Sequence, residues 1–304
     1  MNMDDNFLKI LKEELKKQQD KINQSPLEDF NNLSPEDMYN IVYNPFKKEC
    51  PIQYKSNIGN EVYDDIPFLT LIEYYLNLIL RSDEIKLTKI GNLPTKIVKE
   101  LYGKGLIKEE MIEGGYQKLY KEQDSLSIQN VKIISDLSGL TKKRNNKLSL
   151  TAKGKKYLKA PNRAGLFRLI FETYGYNFNL GYHDGYTDES EVQKSLGYTI
   201  YLLLKYGKEE REVSFYSKKI LKAYPHIKSV FEDSEYSSRE DKFRSCFNIR
   251  IMRRFLNWFN LIEIEEEIVS HKIYSNFNIK SKLMNNIFEI QNDKFKFRKG
   301  KFIA

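Results

Sequence analysis

Apolar residues recur every three to four positions over 5–23, where Leu8, Leu11, Leu15 and Ile22 form one stripe among Lys and Glu. That spacing predicts an amphipathic helix, able to pack on the body, pair with a second chain or stand free. Residues 24–34 read as a polar linker. Ser34-Pro35-Glu36-Asp37 then reads as a helix start: Ser at the cap, Pro in the first turn, acids facing the helix dipole. The short helix 35–43 ends before Asn44-Pro45. Residues 44–67, with Pro45, Pro51, Gly59 and Pro67, predict an extended connector.

Residues 68–81 predict a strongly apolar helix, and Ile85-Lys86-Leu87-Thr88 a short strand. Gly91-Asn92-Leu93-Pro94 is a turn whose Pro opens a helix over 94–102, with Ile97, Val98 and Leu101 inward. Residues 103–123, Gly-rich and charged, predict a loop with a short helical piece. Ile128, Val131, Ile134 and Leu137 share one face of a helix over 127–138, and Gly139 supplies a left-handed stop. Residues 140–151 read as strand, turn, strand, and a helix over 152–158 closes the unit. Thr151 can cap that helix, and Gly154 allows close packing beside it.

This is the order of a winged helix, interrupted by a long insertion between its second and third helices. The run from Gly139-Leu140-Thr141 through Leu148-Ser149-Leu150-Thr151-Ala152-Lys153-Gly154-Lys155-Lys156-Tyr157-Leu158 resembles the wing and following helix of MarR-type proteins. The order recurs: a helix at 192–206, a strand at 212–215, a helix at 216–224 before Pro225, and a long helix at 241–259. Asn260 takes the place of Gly139, and the alternating segments 261–265 and 272–279 predict a second wing. Ser281 starts a last helix.

The expected fold is therefore mainly α with small β-hairpins (α+β): two tandem winged-helix-like domains plus an N-terminal helix. The divisions are 1–34, 35–67, 68–165, 166–293 and a basic tail, 294–304. The Tyr/Gly-rich stretch 173–188 joins the two repeats.

Five stretches together resemble an uncharacterised bacterial family of plasmids and prophages. They are Tyr43-Asn44-Pro45-Phe46, Gly91-Asn92-Leu93-Pro94-Thr95-Lys96-Ile97-Val98-Lys99-Glu100-Leu101, Ser195-Leu196-Gly197, Leu203-Leu204-Lys205-Tyr206-Gly207 and Arg254-Phe255-Leu256-Asn257-Trp258-Phe259. The resemblance spans about residues 40–265. It implies mobile-element biology and carries over no catalytic residue. Some relatives carry a small Cys-rich metal module that this chain lacks.

Composition narrows the classes. The 304 residues leave room for two compact domains, and 40% hydrophobic against 30% charged residues allows buried cores. The richest apolar stretch, Phe68 to Leu80, contains Glu73 and falls short of the ~20 residues that span a bilayer. No membrane partner is expected. The acidic start Met1-Asn2-Met3-Asp4-Asp5 predicts no signal peptide, hence a cytoplasmic protein. Cys50 and Cys246 lie far apart and the three histidines are scattered, which argues against a disulfide scaffold and a Cys/His zinc site. No catalytic motif is present, so no enzyme, cofactor or metal is expected.

Lys and Arg number 50 against 42 acids, a net charge of +8. Between Thr141 and Arg168 there are ten basic residues and no acid: Lys142, Lys143, Arg144, Lys147, Lys153, Lys155, Lys156, Lys159, Arg163 and Arg168. Lys294, Lys296, Arg298, Lys299 and Lys301 repeat this in the tail. Such runs attract polyanions by counterion release, or they are merely solvated faces.

The third helix of a winged helix enters the major groove and the wing meets the backbone. The candidate DNA-binding residues are thus Gln129, Asn130 and Lys132 on the outward face of helix 127–138, beside the unfavourable Asp136. Lys142, Lys143, Arg144 and Lys147 are the candidates on the wing. In the second repeat Arg250, Arg253, Arg254 and Asn257 recur at helical spacing. The alternative for these arginines is pairing with Glu263, Glu265, Glu266 or Glu267. His183 with Asp184 and Asp188 has the chemistry for a metal or for acid/base work, although a helix-packing or partner-binding loop explains this Tyr-rich stretch more simply. The leading expectation is a double-stranded-DNA-binding protein of a mobile element, a regulator or maintenance factor. The second is a protein-interaction module that docks on a host protein. A homodimer through the N-terminal helix is a further partner expectation.

Overall fold

The computed structural model describes residues 3–159, 162–186, 190–265 and 277–291. In chain order its elements begin with α1 (Met3–Gln24), α2 (Pro35–Tyr43), β1 (Ile52–Tyr54), α3 (Asn60–Asp64), α4 (Pro67–Ser82) and β2 (Glu84–Lys86). Next come α5 (Thr95–Tyr102), α6 (Glu110–Glu113), α7 (Leu126–Leu137), β3 (Thr141–Arg144), β4 (Lys147–Leu150), α8 (Ala152–Lys159) and α9 (Arg163–Glu172). The remainder are α10 (Ser190–Lys194), α11 (Leu196–Tyr206), β5 (Arg211–Glu212), α12 (Val213–Ala223), α13 (Arg239–Phe247), β6 (Ile262–Glu265), β7 (Asn278–Ser281), α14 (Met284–Ile287) and β8 (Phe288–Ile290). The fold is mainly helical with small antiparallel sheets.

The described residues divide into two compact units, each discontinuous in sequence. One draws on 1–55, 194–244 and 266–304, the other on 56–193 and 245–265. The consecutive domains 68–165 and 166–293 expected from the repeat cut the chain differently. The repeat of order did not reveal that residues near both ends share a unit.

In the unit built from 56–193 and 245–265, the apolar face of α4 buries Phe68, Leu69, Leu71, Ile72, Tyr75, Leu76 and Ile79. It packs against α5, α7, α8 and the strands β2 and β4. The sheet has the order β2-β4-β3, with Ile85 opposite Leu148 and Thr141 opposite Leu150. Asn145 and Asn146, at φ 50° and 58°, make the tight turn of the β3–β4 hairpin, as a two-residue loop with both φ positive requires. The Asn146 side-chain amide donates to the carbonyls of Leu87 (3.0 Å) and Thr88 (2.8 Å), which ties the hairpin tip to the end of β2.

Gly139, at φ 71°, ends α7, and the amide of Leu140 donates back to Ser135 at 2.9 Å. The Thr151 hydroxyl accepts from the Gly154 amide at 3.0 Å and donates to Gly139 at 2.7 Å, so one side chain caps α8 and clamps it to the end of α7. A methyl group on Gly154 would lie 2.2 Å from the Leu140 carbonyl oxygen, so no side chain fits there. The rings of Phe68, Phe167, Phe171, Tyr174, Phe255 and Phe259 form a common core. Both α9 and α13 run on into π-helical segments, Thr173–Asn177 and Asn248–Leu256, where a single α-helix was expected over 241–259.

In the other unit the Ser34 hydroxyl accepts from Asp37 at 3.2 Å while the Asp37 carboxylate accepts from the Ser34 amide at 3.0 Å, completing a reciprocal cap on α2. α11 is buried from Leu196 to Leu204. β1 pairs with β8, joining residues 52–54 to 288–290, and β5 pairs with β7. The expected connector 44–67 therefore holds β1 and α3. The expected strand 212–215 shrinks to β5, because α12 begins at Val213. The last helix, expected from Ser281, is only α14, followed by a strand. The tip of the expected second wing and the tail 294–304 lie outside the described residues. Every described side chain of α1 from Phe7 onward is exposed.

Candidate nucleic-acid interface

Alternation along the β3–β4 hairpin sorts its cations onto opposite faces. Leu148 and Leu150 point to the helices, so Lys147 and Ser149 point to solvent, and in β3 the same holds for Lys142 and Arg144. Lys86 of β2 joins them on that face. The register sets Lys86 opposite Lys147, and Lys147 opposite Arg144, giving a cross-strand row of cations with Lys142 and Glu84 in the next row. Glu84 bonds Lys147. No ion pair reaches Lys86, Lys142 or Arg144 among the described residues. Lys143 faces the other way, with its ammonium beside Gly91. All four predicted wing cations are exposed.

The polar face of α7, beside the hairpin, is closed. Gln129 is 6% and Asn130 2% exposed, so neither can reach a base edge, contrary to the expected outward face. Asn130 donates to the Tyr174 hydroxyl at 2.8 Å, and the Tyr182 hydroxyl donates to Gln129 at 3.2 Å. Lys132 is held by Glu122 at 2.8 Å and by the Gly91 carbonyl at 2.7 Å. The amides of Leu126 and Ser127, the start of α7, donate to the Glu109 carboxylate at 2.9 and 3.1 Å. That carboxylate occupies the end of the helix dipole where a DNA phosphate would sit. Of the expected outward residues, Asp136 alone is exposed.

Glu109 and Glu122 both come from the insertion between α5 and α7. Sequence reasoning noted the insertion as a departure and passed over its two acids. Their only signal is that they are carboxylates in a segment that must pack somewhere. Lys86 was also passed over, although its place in the alternating strand put it on the face opposite Ile85.

The arginine stripe is likewise internal. Arg250 is 1% exposed and pairs with Asp184, whose side chain is fully buried. Arg254 donates to the carbonyls of Tyr182 (3.2 Å) and His183 (3.1 Å). Burial pulls the Arg254 guanidinium below its ordinary pKa. Arg253 lies 4.0 Å from Glu110. In the widened turns of the π-helical segment Arg250 and Arg254 turn to the Tyr-rich loop, and Arg253 to Glu110. Burial also lifts the Tyr174 hydroxyl well above the usual tyrosine range, so it stays a neutral donor to the Arg254 carbonyl at 3.0 Å. Asp184 is thus engaged in packing; Asp188 lies outside the described residues. Among the described residues no group of His, Cys, Asp and Glu is arranged to hold a metal ion.

Within the acid-free run, Arg163 forks onto Glu73 at 2.9 Å and also bonds Asp64. Lys153 donates to the Ser138 carbonyl at 2.8 Å. Lys155, Lys156 and Lys159 stay exposed on α8. No described helix is long and apolar enough to cross a membrane. No protein-family model, curated protein or solved structure matches this chain.

Proposed function

We propose that this chain is a non-enzymatic protein that binds double-stranded DNA through backbone phosphates, with the outward face of the β2-β4-β3 sheet as its contact surface. The order α4-β2-α5-α7-β3-β4 is read as a winged helix whose groove helix has been closed by the insertion, leaving the wing to act alone. The observation that carries the reading is the row Lys86-Lys147-Arg144. Like charges directly opposite one another in a sheet are unfavourable, Glu84 pairs with only the central Lys147, and phosphates laid along the row offset the remaining repulsion. Contacts confined to phosphates carry no base code, so binding should be indifferent to sequence. A mobile-element role rests on the family resemblance alone.

The test is fluorescence anisotropy with labelled duplexes of unrelated sequence across a salt series. Each phosphate contact adds about 0.9 to the slope of log affinity against log salt, so Ala at Lys86, Lys142 and Arg144 together, all on the outward face, should flatten it by about two to three. Binding that ignores both salt and these substitutions overturns the reading.

A second reading, protein docking, is favoured by α1. Leu8, Leu11, Leu15 and Ile22 are 45–67% exposed at coiled-coil spacing, with Gln18 at the remaining seam position. A parallel pairing with a second copy of the chain fits that seam, because Glu14 then meets Gln19 of the other copy and no like charges oppose. Light scattering after gel filtration should give a dimer mass at high micromolar concentration, and Leu11→Glu with Leu15→Glu should give a monomer. A monomer at every concentration removes the second copy as the occupant.

A further inference from the structure

We propose that Lys205, Arg211 and Lys219 form a binding site for a phosphate-class oxyanion, in the unit that does not contain the wing. The proposal is independent of the wing reading. α11 contributes Lys205 and Tyr206, β5 contributes Arg211, and α12 contributes Phe215 and Lys219. The Tyr206 ring centroid has Lys219 Nζ at 4.9 Å, Lys205 Nζ at 5.5 Å and Arg211 Cζ at 6.0 Å. The Phe215 ring has Arg211 Cζ at 4.7 Å and Lys219 Nζ at 5.0 Å. Ring faces hold cations in place but neutralise none of their charge.

The acceptors already present are almost all neutral. Lys205 donates to the Asn31 backbone carbonyl at 2.7 Å and Lys219 to the Asn31 Oδ1 at 2.8 Å. The Tyr201 and Tyr206 hydroxyls donate to the same two oxygens at 3.1 Å each. An ammonium has three donors, so each lysine keeps hydrogens to give. Among the described residues the one carboxylate bonded to any of the three cations is Glu209, 2.5 Å from Arg211 and itself 77% exposed. The Arg211 Nε–H is buried and finds no acceptor among the described residues. A native fold rarely leaves such a donor unserved.

Both lysines are held below the ordinary lysine pKa. For Lys205 the cause is burial and then Lys219; for Lys219 it is burial, then Lys222 and Arg211. Among the described residues these three gathered cations share a single, largely exposed carboxylate, Glu209. A tetrahedral dianion offers several oxygens to two ammonium groups and a guanidinium at once, and charge-assisted bonds of that kind are the strong ones. A single carboxylate offers two oxygens and half the charge.

The shared chemistry is phosphate, either free or in a nucleic-acid backbone, and the test separates them. The full chain is titrated calorimetrically with inorganic phosphate, and separately its duplex-DNA salt slope is measured. A free anion predicts saturable phosphate binding, weakened at least tenfold in Lys219→Gln and in Lys205→Gln, restored in Lys219→Arg, and unchanged by Ala at Lys86, Lys142 and Arg144. A backbone source predicts no phosphate heat but a salt slope lowered by about one in Lys219→Gln. No phosphate heat together with an unchanged slope overturns the site, as does phosphate binding that survives both Gln variants. The wing reading stands or falls separately, on the Lys86, Lys142 and Arg144 substitutions.

Discussion

Replacing Asp184 with Ala lowers the unfolding free energy by about 3–5 kcal/mol, the usual consequence of removing one partner from a buried ion pair. The Arg250 guanidinium is 1% exposed, and its Nη2 lies 3.3 Å from the Asp184 Oδ1 in addition to the bond from Nε. Without the carboxylate a full charge stays enclosed in the core beside the π-helical segment. Denaturant unfolding measures the loss. Adding Arg250→Met to Asp184→Ala should regain part of it, because the guanidinium that lost this carboxylate is then gone. Asp184→Ala with a loss under about 1 kcal/mol would show that the pair is solvated in solution.

Phe259→Ala should cost about 3–5 kcal/mol through lost transfer energy and the cavity left behind. Phe259 is fully buried, and its ring lies within 5.0–6.1 Å of the rings of Phe68, Phe167, Phe171, Tyr174 and Phe255. Those rings come from α4, α9 and the two π-helical segments, so no single neighbour can swing in to fill the gap. The urea midpoint should fall with the slope unchanged. A near-neutral result would mean that the cluster repacks and that the ring geometry is not what holds these segments together.

The local devices of the fold were legible before any coordinates. Ser34, Gly139, Asn145-Asn146, Thr151 and Asn260 each impose a cap, a stop or a turn through bonds to their immediate neighbours or a positive φ. Such constraints act within a few residues, so a sequence carries them whole. The alternation of β2 and β4 likewise forecasts which cations face solvent, since side chains on a strand change face at every residue.

The candidate site divides along the same line. The exposure of Lys142, Arg144 and Lys147 follows from a hairpin period that the chain itself writes. The closure of α7 does not, because its polar face looks the same whether water or Tyr174 and Tyr182 lie over it. Gln129 and Asn130 read as groove contacts for that reason, and Arg250 as a phosphate ligand. Periodicity records which side of a helix is apolar and is silent on what a distant segment lays across the polar side. The carboxylates of Glu109 and Glu122 on α7, Asp184 against Arg250, and the gathering of Lys205, Arg211 and Lys219 around Tyr206 all depend on such long-range placement. The sequence by itself determined most of the longer helices, their caps and the alternation of the β3–β4 hairpin. Only the tertiary structure decided which polar groups found partners inside and which cations were gathered together, because those contacts join segments far apart in the chain.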